Sequence, residues 1–175
     1  MKPLFIIGYM ASGKTTFGRA LALRTGRPFI DLDEEIEKSA GTTIREFMQQ
    51  YGEEEFRKRE RYTLRGVDLE KNPIVACGGG TPCFFDNIDY MNSCGHTLWL
   101  QASPERICLR IQEAGDTRPL LSQLSKTELL KRIESHLRER EPYYSKGNIC
   151  ISGEYLETAS EISATVDEFL SLGFQ

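Results

Sequence analysis

Residues 8–15 read Gly-Tyr-Met-Ala-Ser-Gly-Lys-Thr, which matches the phosphate-binding pattern Gly-x-x-x-x-Gly-Lys-Ser/Thr. Glycines let the backbone of such a loop curl until successive N–H groups point inward and bind an anion. Lys14 is placed to reach the β- and γ-phosphates of a nucleotide, and the Thr15 hydroxyl is a ligand for Mg²⁺. An apolar strand is predicted before the loop and a helix after it, which is the context this motif requires. The pattern therefore indicates a nucleotide phosphate site.

Two carboxylates, Asp31 and Asp33, follow the second apolar segment of the sequence. We expect both to lie at the end of a strand, where residues two apart point the same way. Ligands of open parallel sheets bind at this edge. One carboxylate is then available to Mg²⁺ through a water molecule, and the other can accept a proton from a substrate hydroxyl. The alternative is that the two residues only cap the helix that follows.

The elements that must position these groups alternate along the chain. Apolar segments predict five strands, at residues 4–7, 28–33, 74–77, 97–100 and 148–151. Amphipathic helical patterns between them predict an α/β fold in three layers, with a five-stranded parallel sheet flanked by helices. The first strand, helix and second strand form a βαβ unit. Two successive helices before the third strand exceed what a crossover needs, so we expect a substrate-binding insertion at residues 34–61.

Length, charge and cysteine content exclude several classes of protein. The 175 residues fit a single domain, and 22 Lys and Arg against 26 Asp and Glu give a net charge of −4. Without a basic tract, nucleic-acid binding is not expected. No apolar segment approaches the ~20 residues of a membrane helix, and the short apolar start is not a secretion signal. Five irregularly spaced cysteines and two histidines assemble no zinc pattern, so we expect reduced thiols in a cytoplasmic protein.

The phosphate-binding loop by itself leaves the class of nucleotide protein open. The chain lacks the Asn-Lys-x-Asp segment with which GTPases read guanine, and it lacks an apolar strand ending in an acid of the Walker B type. The alternatives that remain are a small-molecule kinase, with gluconate or a nucleoside among the candidate acceptors, and a nucleotide-dependent switch or non-catalytic ATP-binding module.

Five segments in a fixed order resemble the shikimate kinases over residues 4–151. Besides the phosphate-binding loop and Asp-Leu-Asp, they are Gly-Glu-x-x-Phe-Arg-x-x-Glu at residues 52–60, three glycines at residues 78–80, and Arg-Pro-Leu-Leu at residues 118–121 followed by Arg-x-Pro-x-Tyr at residues 140–144. The resemblance implies a monomeric P-loop kinase with a lid over residues 113–124. It implies ATP- and Mg²⁺-dependent phosphorylation of the 3-hydroxyl of shikimate, an alcohol acceptor, in aromatic amino acid biosynthesis.

The resemblance also implies roles for individual residues. The ATP-binding set is Ala11, Ser12, Gly13, Lys14, Thr15, Thr16, Arg110 and Arg118, with Arg110 stacking on the base and Arg118 acting from the lid. The substrate-binding set is Asp33, Arg57, Gly79 and Arg140, in which the two arginines bind the carboxylate and Glu60 orients Arg57. Lys14, Asp33 and Arg118 are the catalytic set, and Thr15 and (through water) Asp31 hold the metal.

Each of the two arginines expected to bind the carboxylate also has a simpler interpretation that involves no substrate. Arg57 belongs to a run of charges at residues 57–61, most of which must face water, and only its position favours it over Arg59. Arg140 lies where a helix is expected to end, and a cation there complements the helix dipole. Two segments depart from the family pattern. No basic residue follows the last strand, at residues 152–155, and residues 81–85, Thr-Pro-Cys-Phe-Phe, replace a run that is usually small or polar.

Overall fold

The structure, a computed structural model, describes residues 2–114 and 124–173. Its five strands form one sheet in the order β2-β3-β1-β4-β5, and every neighbouring pair is parallel. The strands are β1 (Leu4–Ile7), β2 (Phe29–Asp31), β3 (Ile74–Ala76), β4 (His96–Gln101) and β5 (Ile149–Ser152). The predicted five-stranded parallel sheet is confirmed. Strand β3 separates β1 from β2, so the strands of the predicted βαβ unit are parallel but not adjacent.

Seven α-helices lie in the described part of the chain. They are α1 (Lys14–Thr25), α2 (Leu32–Ala40), α3 (Ile44–Arg65), α4 (Asn87–Cys94), α5 (Pro104–Glu113), α6 (Lys126–Tyr144) and α7 (Ala159–Ser171), with a 3₁₀ turn at Thr81–Cys83. The sequence patterns gave no bounds for α2 or α4, which are the two shortest helices. None of the helices in the described ranges has the length and apolar character needed to cross a bilayer.

The central strand β1 is buried on both faces, which explains its unbroken apolar sequence. Phe5 and Ile7 pack into a core with side chains from α2 to α6, whereas Leu4 and Ile6 pack on the opposite face against α1 and α7. Because the two cores fix β1 from both sides, the loop that leaves its carboxyl end starts from a rigid base.

Predicted helix boundaries match the local chemistry at several points. Thr43 and Ser125 each accept a hydrogen bond from the backbone N–H of a glutamate three residues on, and that glutamate returns the bond, so both capping boxes are present. Gly52, predicted to end a helix, has φ 84° and ψ 169° and kinks α3. The part of α3 after the kink ends at Arg65, four residues before the predicted end at Leu69.

The loop after β5 supports the loop after β1 through a bare backbone. Gly153 donates its N–H to the carbonyl of Gln101 at 2.6 Å. A Cβ at Gly153 would lie 2.7 Å from the carbonyl oxygen of Ser12 and 2.9 Å from Leu100 Cγ. Only a residue without a side chain permits this approach, so the first loop rests directly on the backbone of the last.

We expect Gly153→Ala to lower the free energy of unfolding by about 1–3 kcal/mol, because the new methyl group overpacks a contact with backbone atoms that cannot move aside. Gly66→Ala is the matched control. Gly66 also has a negative φ, and a Cβ there would meet its nearest atoms at 3.5 Å, an ordinary contact. Denaturant unfolding of both variants checks the difference, and equal stability of the two would contradict it.

Candidate active site

A cleft of about 400 Å³ opens at the carboxyl ends of β1, β2 and β3. Its walls come from the phosphate-binding loop, the start of α2 and the glycines after β3, and Arg110 closes one side. Strands β1 and β3 are neighbours, with Ile6 opposite Ala76, so the loops that follow them leave the sheet side by side. The topology therefore brings together motifs that are about 70 residues apart in the chain.

The loop at residues 8–15 has the left-handed backbone positions that such a curl needs. Gly8, Ala11 and Gly13 have φ of 144°, 59° and 99°. The Lys14 ammonium lies over the loop and donates to the carbonyls of Gly8 at 3.0 Å and Tyr9 at 2.7 Å. Helix α1 begins at Lys14, so its N-terminal N–H groups and positive dipole face the same space. The geometry is that of an anion-binding loop.

Asp31 connects this loop to the next element. The Thr15 hydroxyl donates to Asp31 Oδ2 at 2.8 Å, and Asp31 Oδ1 accepts the backbone N–H of Asp33 at 3.1 Å. Asp31 is therefore both the last residue of β2 and the N-cap of α2. The expectation that both carboxylates lie on the strand is wrong: the cap turns the chain into a helix at once, and Asp33 belongs to the first turn of α2.

The Thr15 hydroxyl and the Asp31 carboxylate form a pair of hard oxygen donors beside the phosphate-binding loop. In the described ranges, no group of three or more His, Cys, Asp or Glu side chains could hold a metal ion. Mg²⁺ needs no such cage, since it keeps several waters and binds through one or two protein oxygens together with substrate phosphates. The donor set at this place fits Mg²⁺.

The Asp33 carboxyl group faces other acids across the cleft. Its burial, together with the charges of Asp31 and Glu60, raises its pKa to about 6, while the Lys14 ammonium acts in the opposite direction. A carboxyl group with a pKa near 6 is ionised at neutral pH and is a stronger base than an ordinary aspartate. Asp33 is therefore suited to accept a proton from a hydroxyl group.

Arg57 points into the protein, unlike most of the charged run to which it belongs. Its side chain is 13% exposed and donates from Nη1 to Glu60 and from Nη2 to Glu53, each at 3.0 Å. Arg59, two residues on, lies instead over the ring of Phe47 at 5.9 Å, by the outer groove of α2 and α3. The helical turn thus separates the two arginines, and Arg57 is the one beside the cleft.

Glu60 is a buried acid and not a surface ion pair. Its side chain is 1% exposed, and Oε2 accepts the bond from Arg57. Its other oxygen accepts a hydrogen bond of 2.6 Å from the hydroxyl of Thr81, which is itself fully buried. A buried carboxylate is stable only when it is paired and hydrogen-bonded, and Glu60 is both. The predicted role of orienting Arg57 fits this geometry, whereas the contribution of Thr81 was not anticipated.

Each of the three glycines after β3 approaches a different polar group. A Cβ at Gly78 would lie 2.8 Å from Asp33 Oδ1, and a Cβ at Gly80 would lie 2.8 Å from Arg57 Nη1. The carbonyl of Gly79 accepts hydrogen bonds from Tyr144 Oη at 2.6 Å and from Arg140 Nη1 at 3.2 Å. The run therefore leaves a bare backbone surface on which an acid and two guanidinium groups converge.

Arg140 reaches this surface from α6. Its guanidinium lies 5.2 Å from the centroid of the Tyr9 ring, and the Tyr9 hydroxyl is 2.9 Å from Nδ1 of His136 on the same helix. The last turn of α6 contains no basic residue, so the helix-dipole alternative for Arg140 does not apply. Tyr9 was missed in the sequence, and Tyr144 was noted only as part of the family pattern with no role, although an arginine and a tyrosine four residues apart on a helix share a face.

Arg110 lies against the phosphate-binding loop from α5. It donates to the carbonyls of Ala11 at 3.3 Å and Glu154 at 3.2 Å, and its guanidinium pairs with Glu157 at 2.8 Å. Glu157 was not identified from the sequence.

Arg118 and most of the lid predicted over residues 113–124 lie outside the described residues.

Comparisons with known proteins agree with this arrangement. A sequence model of the family described as shikimate kinase matches residues 10–171. A shikimate kinase of Phocaeicola vulgatus is 42% identical over 167 residues, which are 95% of each chain. A shikimate kinase structure from Bacteroides thetaiotaomicron has a TM-score of 0.92 at 34% identity and covers 99% of this chain and 98% of its own. One from Acinetobacter baumannii, solved in complex with shikimate, has a TM-score of 0.82 at 29% identity and covers 100% and 96%.

The family model covers residues 10–171, a range that contains the glycines after β3 and the helices that carry the cleft arginines. Since the sequence model and the structural neighbours agree over the same residues, the chain belongs to the shikimate kinase family.

Proposed function

We propose that the protein transfers the γ-phosphoryl group of ATP to the 3-hydroxyl of shikimate, giving shikimate 3-phosphate and ADP. The observation that carries the proposal is the convergence of Arg57 and Arg140 on the glycines after β3, next to Asp33 and the phosphate-binding loop. Two guanidinium groups suit a carboxylate, and a bare backbone suits a small polyol. The arrangement therefore suits an acceptor that carries a carboxylate as well as hydroxyl groups.

In the proposed complex, ATP lies along the phosphate-binding loop. The N–H groups from Ala11 to Thr16 and the dipole of α1 bind its phosphates, and the Lys14 ammonium exchanges its two carbonyl partners for phosphate oxygens. Arg110, held beside the loop, stacks on the adenine. Arg118, which we place in the lid at residues 113–124, stabilises negative charge on the transferring group.

Mg²⁺ is the proposed metal, with Thr15 as a direct ligand and Asp31 bound through water. When bound, Mg²⁺ neutralises charge on the phosphate oxygens. Asp31 already fixes the Thr15 hydroxyl at 2.8 Å, so the two donors are oriented before the metal arrives.

Asp33 is the proposed acceptor of the hydroxyl proton. As the substrate oxygen bonds to phosphorus and the bond to ADP breaks, the proton passes to the Asp33 carboxylate. The substrate carboxylate, bound by Arg57 and Arg140, holds the ring so that the reacting hydroxyl faces Asp33. We propose that the lid and the insertion at residues 34–61 close over the substrates and exclude water.

We also propose that the whole chain is one domain acting as a monomer in the cytoplasm. A single chain carries each group that the proposed site uses, and the reaction consumes ATP, which is a cytoplasmic metabolite.

The first test is ADP release in a coupled assay with shikimate, gluconate, a nucleoside or no acceptor. We expect turnover with shikimate, and we expect Arg57→Ala to lower kcat/KM for shikimate roughly 10- to 150-fold, the range for hydrogen bonds to a charged group. Arg59→Ala is the matched control and should change kcat/KM less than about twofold, since its guanidinium lies over Phe47. Turnover with gluconate and not with shikimate would contradict the proposed substrate. An equal loss of kcat/KM in Arg57→Ala and Arg59→Ala would contradict the proposed role of Arg57.

Asp31→Asn tests the metal. Asparagine caps a helix as well as aspartate, so α2 should keep its stability while the site loses a charge. We expect the Mg²⁺ concentration for half-maximal activity to rise about 10- to 100-fold, as is typical when a group that holds a metal ligand is removed. Calorimetric binding of ADP with and without Mg²⁺ gives a second readout. An unchanged Mg²⁺ dependence in both measurements would exclude Asp31 from the metal site.

Asp33→Asn tests the charge of the proposed base. The folded pKa of about 6 lies above the ordinary 3.8, so charging Asp33 destabilises the folded state increasingly from pH 3.8 to 6 and by a constant amount above pH 6. We therefore expect Asp33→Asn to be more stable than the wild type at pH 8, by about 1–3 kcal/mol, and equally stable below about pH 4. Wild-type kcat/KM for shikimate should fall as the pH drops below about 6. Equal melting temperatures at pH 8 would contradict the raised pKa.

A further inference from the structure

Residues 81–85 are the part of the acceptor side that departs from the family pattern and that the proposed mechanism does not use. Thr81 is fully buried and bonds to Glu60, the partner of Arg57. Phe84, three residues on, is half-buried in an extended conformation, and its ring faces the Arg57 guanidinium with 4.0 Å between Cζ and the ring centroid. The segment therefore reaches Arg57 in two ways. Thr81 bonds to Glu60, which holds the guanidinium, and the Phe84 ring contacts the guanidinium directly.

The Arg57 guanidinium is enclosed on its faces and engaged on part of its edge. The Phe84 ring is its nearest aromatic contact, Phe56 lies at 4.9 Å, and a Cβ at Gly80 would come within 3.0 Å of Cζ and both terminal nitrogens. On the edge, Nη1 donates to Glu60, and Nε and Nη2 both donate to Glu53. A guanidinium has five N–H groups, so in the described part of the chain one N–H on each terminal nitrogen is not used by these three bonds.

N–H groups on the two terminal nitrogens of a guanidinium can bind a carboxylate with two parallel hydrogen bonds. Such binding requires a fixed guanidinium plane. A stacked ring restrains the plane through its face and takes up no N–H group, whereas a polar neighbour would compete for the donors that the substrate needs. Because Arg57 is only 13% exposed, its contact with the ring is largely desolvated and is stronger than the same contact at the surface.

We propose that Phe84 is a positioning residue of the acceptor site, whose ring holds the Arg57 guanidinium in the plane that receives the substrate carboxylate. The proposal rests on the proposed function for the identity of that carboxylate. It assigns Phe84 a role in acceptor affinity and none in nucleotide binding.

The kinetic test compares Phe84→Leu, which removes the ring, with Phe84→Tyr, which keeps it. We expect Phe84→Leu to raise the KM for shikimate roughly 3- to 30-fold, while kcat and the KM for ATP change less than about twofold. Phe84→Tyr should stay within about threefold of the wild-type KM. Phe85→Leu is the matched control: its neighbouring ring is 51% exposed and lies 5.1 Å from the Arg61 guanidinium, so the KM should not change.

A double-mutant cycle distinguishes positioning from a general effect on the fold. If Phe84 acts through Arg57, then Phe84→Leu adds no further rise in the KM for shikimate in an Arg57→Ala background. The proposal is overturned if the effects of the two substitutions multiply, if Phe85→Leu raises the KM as much as Phe84→Leu, or if Phe84→Leu raises the KM for ATP equally.

A spectroscopic measurement without substrate separates this proposal from the proposed function. In a ¹H–¹⁵N spectrum of arginine side chains, the Nε–H signal that disappears in Arg57→Ala should be shifted by the ring current of Phe84. That shift should survive in Phe84→Tyr and Phe85→Leu and be lost in Phe84→Leu. An unchanged signal in Phe84→Leu overturns the positioning role whichever acceptor the enzyme uses. If the shift is lost in Phe84→Leu but the wild-type protein does not turn over shikimate, the positioning role of Phe84 is supported and shikimate is rejected as the substrate.

Discussion

The lack of side chains at residues 78–80 is the constraint on which the arrangement of the site depends. Different charged side chains lie near the space that a side chain at each glycine would occupy: Asp33 and Glu60 at Gly78, Arg140 at Gly79, and Arg57 at Gly80. The contacts come from α2, α3 and α6, so three helices set their distance from the sheet by the same short backbone segment. A Cβ at Gly78 or Gly80 would come within 3.0 Å of a charged side chain, and a Cβ at Gly79 would come within 3.1 Å of the Met10 backbone nitrogen.

The second organising feature is a pair of acids, Glu60 and Asp33, that lie close to the same glycine. Glu60 is almost fully buried, and its two oxygens are satisfied by Arg57 and Thr81. The pKa of Asp33, by contrast, rises because burial and two neighbouring acids disfavour its ionised form. One acid is thus committed to holding an arginine, while the other is kept basic.

Much of the fold follows from short-range signals in the sequence. Continuous apolar runs predict strands buried on both faces, and the capping boxes at Thr43 and Ser125 predict helix starts that the structure has. The position of Asp33 did not follow, because Asp31 acts as a cap through its own side chain and ends the strand two residues early. The convergence of Tyr144 and Arg140 on Gly79 joins residues more than 60 positions apart, and no local pattern reports such a contact.

The glycine run after β3 and the phosphate-binding loop are in direct contact. A Cβ at Gly79 would lie 3.1 Å from the backbone nitrogen of Met10 and 3.5 Å from the carbonyl oxygen of Gly8, so the glycine run touches the phosphate-binding loop directly. Tyr9 continues the contact, since its ring lies beside the Arg140 guanidinium and its hydroxyl meets His136. The phosphate-binding loop and Arg140 are therefore connected through packed groups. Helix α6 carries both His136 and Arg140, so the same helix contacts the phosphate-binding loop and the glycine run.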